Sequence, residues 1–286
     1  MSSTKLLYLE NFSLLECESK ILEILSENGR DILILDQTVF YPQGGGQPYD
    51  IGIIESANGK FVVEEVRFAD EIVKHIGHFE DNSELGNQVS TWKRGFQVRC
   101  YVDKNRRLLH SKIHSAGHLV AWACAKLNLP WIPDPRGYHY PNGPYVSYVG
   151  KLEGVDKAKL KQDLETMCND AIGEGRDVTI RFTLPPSQIS HNLATETKDT
   201  FNSLQRSRMF LKKVGGFMTE NEMREISRSS PQDIAAGQRA RMIFFGKFGV
   251  PCGGTHVKNI SEIVRLTIRK IKQEGESIRV GYEVTK

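Results

Sequence analysis

Between Leu108 and Val120 the chain reads LLHSKIHSAGHLV, which sets His110, His114 and His118 four residues apart in turn. On an α-helix this spacing stacks the imidazoles along one face, with Cβ atoms roughly 6 Å apart, so neighbouring rings can converge on one ion. All three cannot do so together. His110 and His118 are separated by about 12 Å along a helix axis, whereas two ligands of one zinc ion lie within about 4 Å of each other. The pair is therefore His110 with His114, or His114 with His118. Ser115, Ala116 and Gly117 are small and leave room for a substrate or another segment beside the second pair, while Lys112 places a cation between the first. These residues favour His114 with His118.

A helix has to carry them. Leu108, Leu109, Ile113, Ala116, Leu119, Val120, Ala123 and Leu127 recur at three- and four-residue steps and predict a helix over 104–127, ended by Pro130. A helical pair needs partners from elsewhere, and PCGGTH near the other end of the chain offers Cys252 and His256 around a Gly253-Gly254 turn. Two histidines from a helix with Cys and His from a glycine turn make a His₃Cys set, which suits tetrahedral zinc by ligand softness. The helix lacks the HExxH of a metalloprotease, and the chain lacks the HxE and PCxxC of a nucleotide deaminase. Four protein ligands also suit a structural zinc closed to chemistry.

The rest of the 286-residue chain reads as a soluble α+β protein, long enough for one large domain or two ordinary ones. No N-terminal run has signal-peptide character and none approaches the roughly 20 apolar residues of a membrane span. The expected location is the cytoplasm, without membrane contact. Five scattered cysteines, with no CxxC pair, argue against a disulfide framework and leave any special cysteine as a ligand or nucleophile. DILILD (31–36), IGIIES (51–56), GKFVVEEVRF (59–68) and FQVRCYVD (96–103) read as strands whose spacing suggests a small barrel. Residues 129–150 hold five prolines and read as a long ordered loop as far as a final YVSYVG. A helix over 155–175, a strand over 177–184, and a polar, basic stretch at 185–236 that reads as short helices and turns lead to a last part that returns to strand and helix through ARMIFFGKF (240–248), a GVPCGGTHV turn, a segment EIVRLTIRKIKQ and a terminal SIRVGYEV strand. The charge is segregated: residues 1–204 hold 22 Lys/Arg against 27 Asp/Glu, and residues 205–286 hold 16 against 8. A second basic run comprises Lys93, Arg94, Arg99, Lys104, Arg106, Arg107 and Lys112. Such asymmetry suits a polyanion such as nucleic acid.

HSAGH with CGGTHV, preceded upstream by FYPQGGGQPYDIG, resembles the editing domain of alanyl-tRNA synthetase and its free-standing relatives, the AlaX alanyl-tRNA editing proteins. The resemblance covers most of the chain, with the motifs in family order. It implies a small N-terminal β-barrel over residues 1–100 followed by an α/β two-layer editing domain of the threonyl/alanyl-tRNA synthetase type over 101–286. His114, His118, Cys252 and His256 then correspond to the family's zinc ligands, and His110 to none. Gly44, Gly45, Gly46 and Gln47 correspond to its glycine motif, expected near the tRNA, although the same glycines suit a tight turn. The implied activity is hydrolysis of mischarged tRNA(Ala) carrying serine or glycine. The 185–236 stretch is then an insertion or an added tRNA contact. Nothing resembles a phosphate loop, so no nucleotide cofactor is expected. A non-catalytic, zinc-stabilised tRNA-binding module and editing of mischarged tRNA(Thr) remain open on the same fold. His139, in a loop resembling the family's substrate-proximal loop, is expected to be structural or solvent-facing.

Overall fold

The computed structural model describes residues 3–57, 59–80, 92–182, 241–246 and 248–285. The polar stretch 185–236, read from sequence as short helices and turns or an insertion, lies outside the described residues. The described residues form two compact units, one drawn from Met1–Ser111 with Gly254–His256, the other from Lys112–Gly253 with Val257–Lys286.

The first unit contains β1 (Lys5–Leu6), α1 (Leu7–Glu10), β2 (Glu16–Glu27), β3 (Arg30–Leu35), β4 (Gln37–Thr38), β5 (Gly52–Ser56), β6 (Gly59–Ala69), β7 (Ile72–Phe79) and β8 (Gln97–Val102). A parallel pair joins β1 to β4. The remaining strands close an antiparallel barrel in the order β2-β3-β7-β6-β5-β8. Ile21, Leu33, Leu35, Ile54, Phe61, Val63, Val73 and Val98 fill it from the inward face of each strand. Two of its strands, β2 and β7, are absent from the sequence reading. In β2 a register shift between Ile21 and Glu23 moves the apolar residues from one face of the alternation to the other, so no single period runs through ECESKILEILSE. In β7 the inward positions include His75 and Gly77, which no apolar pattern announces. Asn28 and Gly29, both at positive φ, make the two-residue turn that joins β2 to β3.

His75 is buried and its ring is fully engaged. Nδ1 donates to the Leu33 carbonyl (3.0 Å) and Nε2 accepts from the Thr38 hydroxyl (2.8 Å). Burial lowers its pKa from 6.5 to about 4. Below pH 6.5 the unfolded chain therefore binds a proton that the folded barrel refuses.

The chain leaves β8 into α2 (Lys104–Lys126), whose first turn is held by a buried ion pair. Arg107 and Asp50 are 1% and 0% exposed in their side chains. The Arg107 guanidinium contacts both Asp50 oxygens and donates to the carbonyls of Phe12 (3.2 Å), Leu14 (3.1 Å) and Val39 (2.6 Å). Asp50 also accepts from the Tyr41 amide at 2.7 Å. Arg107 is thus not part of a polyanion-facing surface, contrary to its place in the basic run; nine-tenths and more of its side chain is spent inside.

The second unit continues α2 and adds β9 (Ile132–Tyr138), β10 (Tyr145–Val149), α3 (Lys157–Glu174), β11 (Val178–Phe182), β12 (Arg241–Phe245), β13 (Phe248–Pro251), β14 (Leu266–Glu274) and β15 (Ser277–Val284). One sheet runs β14-β15-β10-β9 and another β11-β12-β13. The loop expected over 129–150 is corrected by β9, which holds Pro133 and Pro135 as a strand. It lies at the sheet edge, where a residue without an N–H leaves no ladder bond unmade. The turn expected over 249–257 likewise starts later, because β13 pairs with β12 as far as Pro251. α3 begins at an Asp156 cap and ends at Gly175, which has φ 67°. Its Asn169 side chain bonds both backbone groups of Leu266 on β14, at 2.8 and 3.0 Å. No helix among the described residues is long and apolar enough to cross a membrane.

Arg107→Ala should cost about 3–5 kcal/mol, because it leaves the Asp50 carboxylate buried without its partner; urea unfolding should show a lower midpoint at unchanged slope. The pH dependence follows from His75: stability is complete above pH 6.5 and is lost as pH falls toward about 4. In His75→Gln the melting temperature should decline less steeply with pH across that window.

Candidate metal centre

The described residues bring together His114, His118, Cys252 and His256, whose donor atoms all lie within 4.8 Å of one another. Cys252 Sγ is 3.4 Å from His114 Nε2. A tetrahedral ion bound to sulfur at about 2.3 Å and to nitrogen at about 2.0 Å holds those two atoms about 3.5 Å apart, so the spacing fits a shared metal. Desolvation, helped by the nearby His139 and Arg241, lowers His118 to about 3. Its ring is therefore neutral, the form in which imidazole binds metal. His110 is buried one turn earlier on α2 and is not among the donors.

Two of the small residues between the helical histidines, Ser115 and Gly117, make close contacts. Ser115 Oγ accepts from the Val257 amide at 3.2 Å, beside the CGGTH turn. A Cβ on Gly117 would meet His139 Cε1 at 2.5 Å and the Tyr282 hydroxyl at 2.6 Å. The space expected for a substrate or another segment is taken by another segment. His139 is buried, which is the structural and not the solvent-facing of its two expected placements, and stacks on His114 with ring centroids 4.5 Å apart. The Tyr282 hydroxyl donates to the Ile113 carbonyl (3.0 Å) and accepts from His139 Nδ1 (2.7 Å), which fixes the ring against the helix. Phe245 stacks on His118 with ring centroids 5.8 Å apart. Arg241 donates to the Cys252 carbonyl at 2.6 Å.

Gly44, Gly45, Gly46 and Gln47 form a two-residue turn: Gly45 and Gly46 have φ of 53° and 76°, and Gly44 and Gln47 exchange backbone bonds of 3.2 and 2.8 Å. Gly45 is exposed, whereas the Gln47 side chain is buried and faces Thr255. Gln47 Nε2 donates to Thr255 Oγ1 (2.8 Å), and Gln47 Oε1 accepts from the Thr255 amide (3.0 Å). Ser111 Oγ lies 2.8 Å from the same hydroxyl. Thr255 sits between Cys252 and His256 in sequence, so these bonds hold the backbone of the donor turn. Sequence reasoning missed Thr255, Ser111, Tyr282 and the role of His139. Gly117 carried a signal for the last two, since a glycine inside a helix needs a reason of close approach.

Three imidazoles and a cysteine sulfur converging from a helix and a glycine turn are a donor set that could hold one metal ion. Comparison with known proteins narrows the reading. The family model described as tRNA synthetases class II (A) matches residues 6–104. The alanyl-tRNA editing protein AlaX-M of Methanosarcina barkeri is 28% identical over 272 residues, covering 94% of this chain and 95% of that protein. The alanine–tRNA ligase of Methanobrevibacter smithii is 24% identical over 288 residues, covering 96% of this chain. That of Pyrococcus abyssi is 34% identical over 191 residues, covering 63% of this chain and 18% of the ligase. This chain spans only about a quarter of the M. smithii ligase, 26% of its length. By these relationships the chain is similar along nearly its whole length to AlaX-M alanyl-tRNA editing proteins.

Metal analysis of purified variants tests the donor set. His114→Ala, His118→Ala and Cys252→Ala should each lose most of the bound zinc, and His110→Ala should keep it near one ion per chain. An empty His110→Ala beside a full His118→Ala would move the site by one helical turn.

Proposed function

We propose that this protein hydrolyses the ester bond of mischarged tRNA(Ala), chiefly Ser-tRNA(Ala) and also Gly-tRNA(Ala), with zinc held by His114, His118, Cys252 and His256. The observation that carries the reading is the convergence of those donors in a chain aligned nearly end to end with an AlaX-M editing protein. The need for such an activity is physical. A pocket shaped for alanine rejects a ligand that differs by one hydroxyl or one methyl by only about 10–200-fold, so the wrong ester has to be destroyed at a second site.

When bound, zinc supplies Lewis acidity toward an oxygen or amine of the substrate. The chain's own residues set the stage for it. His139, Tyr282 and Phe245 pack the rings of His114 and His118, and Gln47 and Ser111 hold Thr255 in the turn that carries Cys252 and His256. In this reading residues 1–100 form the barrel that bears the glycine motif, and residues 101–286 form the editing domain. With the Gln47 side chain committed to Thr255, contact between the motif and RNA falls to the backbone of Gly44, Gly45 and Gly46.

Deacylation assays with the purified protein test the proposal. Ser-tRNA(Ala) should be hydrolysed at least about tenfold faster than Ala-tRNA(Ala), and chelation should abolish hydrolysis while the chain stays folded. Equal rates on the two substrates would overturn the specificity. No hydrolysis with zinc bound would leave the protein as a zinc-stabilised tRNA-binding module.

A further inference from the structure

The barrel holds two cysteines that the metal centre does not use. Cys17 on β2 and Cys100 on β8 are direct partners in the antiparallel ladder. The bonds from the Val102 amide to Leu15 (2.8 Å) and from the Ile21 amide to Phe96 (3.0 Å) mark the hydrogen-bonded pairs of this ladder. Counting in twos from either, Cys17 and Cys100 fall on a hydrogen-bonded pair as well. Such pairs have Cα atoms about 5.5 Å apart and side chains on one face, within the roughly 4.4–6.8 Å that a disulfide spans.

The sulfurs share surroundings. Ser19 Oγ lies 3.3 Å from Cys17 Sγ and 3.8 Å from Cys100 Sγ, while its own hydroxyl donates to the Gln37 carbonyl at 2.8 Å. The two thiols differ in access: Cys17 is partly exposed and Cys100 is buried in the barrel core. They differ in chemistry too. A hydrogen bond from Cys100 pulls Cys17 down to about 7 against the effect of burial, and the same contact holds Cys100 well above the usual thiol range. One is a reachable nucleophile and the other a protected thiol beside it. By contrast, Cys124 and Cys168 are both buried, with pKa values raised by desolvation.

We propose that Cys17 and Cys100 form a redox site, a cross-strand dithiol that a low-molecular-weight disulfide converts reversibly to a Cys17–Cys100 disulfide. The Cys17 thiolate attacks one sulfur of the small disulfide and expels the first small thiolate, giving a mixed disulfide at Cys17. Cys100 then loses its proton to solvent and attacks Cys17 Sγ, expelling the second. Two S–H bonds become one protein S–S bond, and the small disulfide is reduced to two thiols. Opposed strand residues have Cβ atoms about 4.5–5.5 Å apart, whereas a disulfide draws them to about 3.5–4.5 Å. Closing the bridge therefore pulls β2 toward β8, which makes the bond one of the readily reduced kind.

The zinc-loaded full chain, incubated with oxidised glutathione, alkylated and digested without reductant, tests this by mass spectrometry. The expected product is a peptide pair joined through Cys17 and Cys100, lost on adding dithiothreitol, with a melting temperature raised by about 5 °C while it persists. Cys100→Ser should stop at glutathione on Cys17, and Cys17→Ser should leave Cys100 unmodified. Recovery of wild-type protein with glutathione on Cys17 and Cys100 free, or with both thiols untouched, overturns the proposal; this result is read on wild-type protein and does not depend on how the variants fold.

Discussion

Arg107 spends its charge inside the protein, and the helix that matters most hangs on that fact. A guanidinium this deeply enclosed survives only if nearly every donor is used, and here Asp50 and the carbonyls of Phe12, Leu14 and Val39 use them. The contact fixes the first turn of α2 on the barrel strands and on the loop that carries Asp50. The same helix, α2, runs on from Lys104 to Lys126 and carries His114 and His118 two and three turns after Arg107. A buried pair of this kind adds little net stability over an apolar pair of equal volume; its contribution here is geometric.

The donor turn is held in the same manner, by buried polar groups that bond one another. The Gln47 amide presents both a donor and an acceptor to Thr255, and a buried amide left half-satisfied would cost on the order of 1–3 kcal/mol. The glycine motif therefore acts on the turn between Cys252 and His256 through one side chain, while its glycines shape the loop that delivers it. Packing does the rest: His139 fits against the helix only because residue 117 has no side chain.

Legibility from sequence divided along a physical line. α2 and α3 were readable because their apolar residues keep one period from end to end, and β3, β5, β6 and β8 because Val, Ile and aromatics cluster between turn residues. β2 was hidden by a bulge that changes the phase of its alternation, β7 by an inward histidine and glycine, and β9 by prolines that an edge position tolerates. In each case the missing information was the identity of the neighbouring strand. Arg107 was misplaced for the same reason: a basic residue in a basic run shows nothing of Asp50, which lies 57 positions earlier.

By itself the sequence singled out the candidate donors. The four-residue helical spacing keeps three histidines from sharing one ion, and the residue types suit a borderline-soft metal, since both depend only on local geometry and residue type. Tertiary structure alone decided that these donors meet, that Gln47 serves Thr255, that His139 lies against His114, and that Cys17 faces Cys100. Those are pairings between residues far apart in the chain, and no local propensity encodes them. They exist because closing the barrel and burying most polar groups with a partner leaves few other arrangements open.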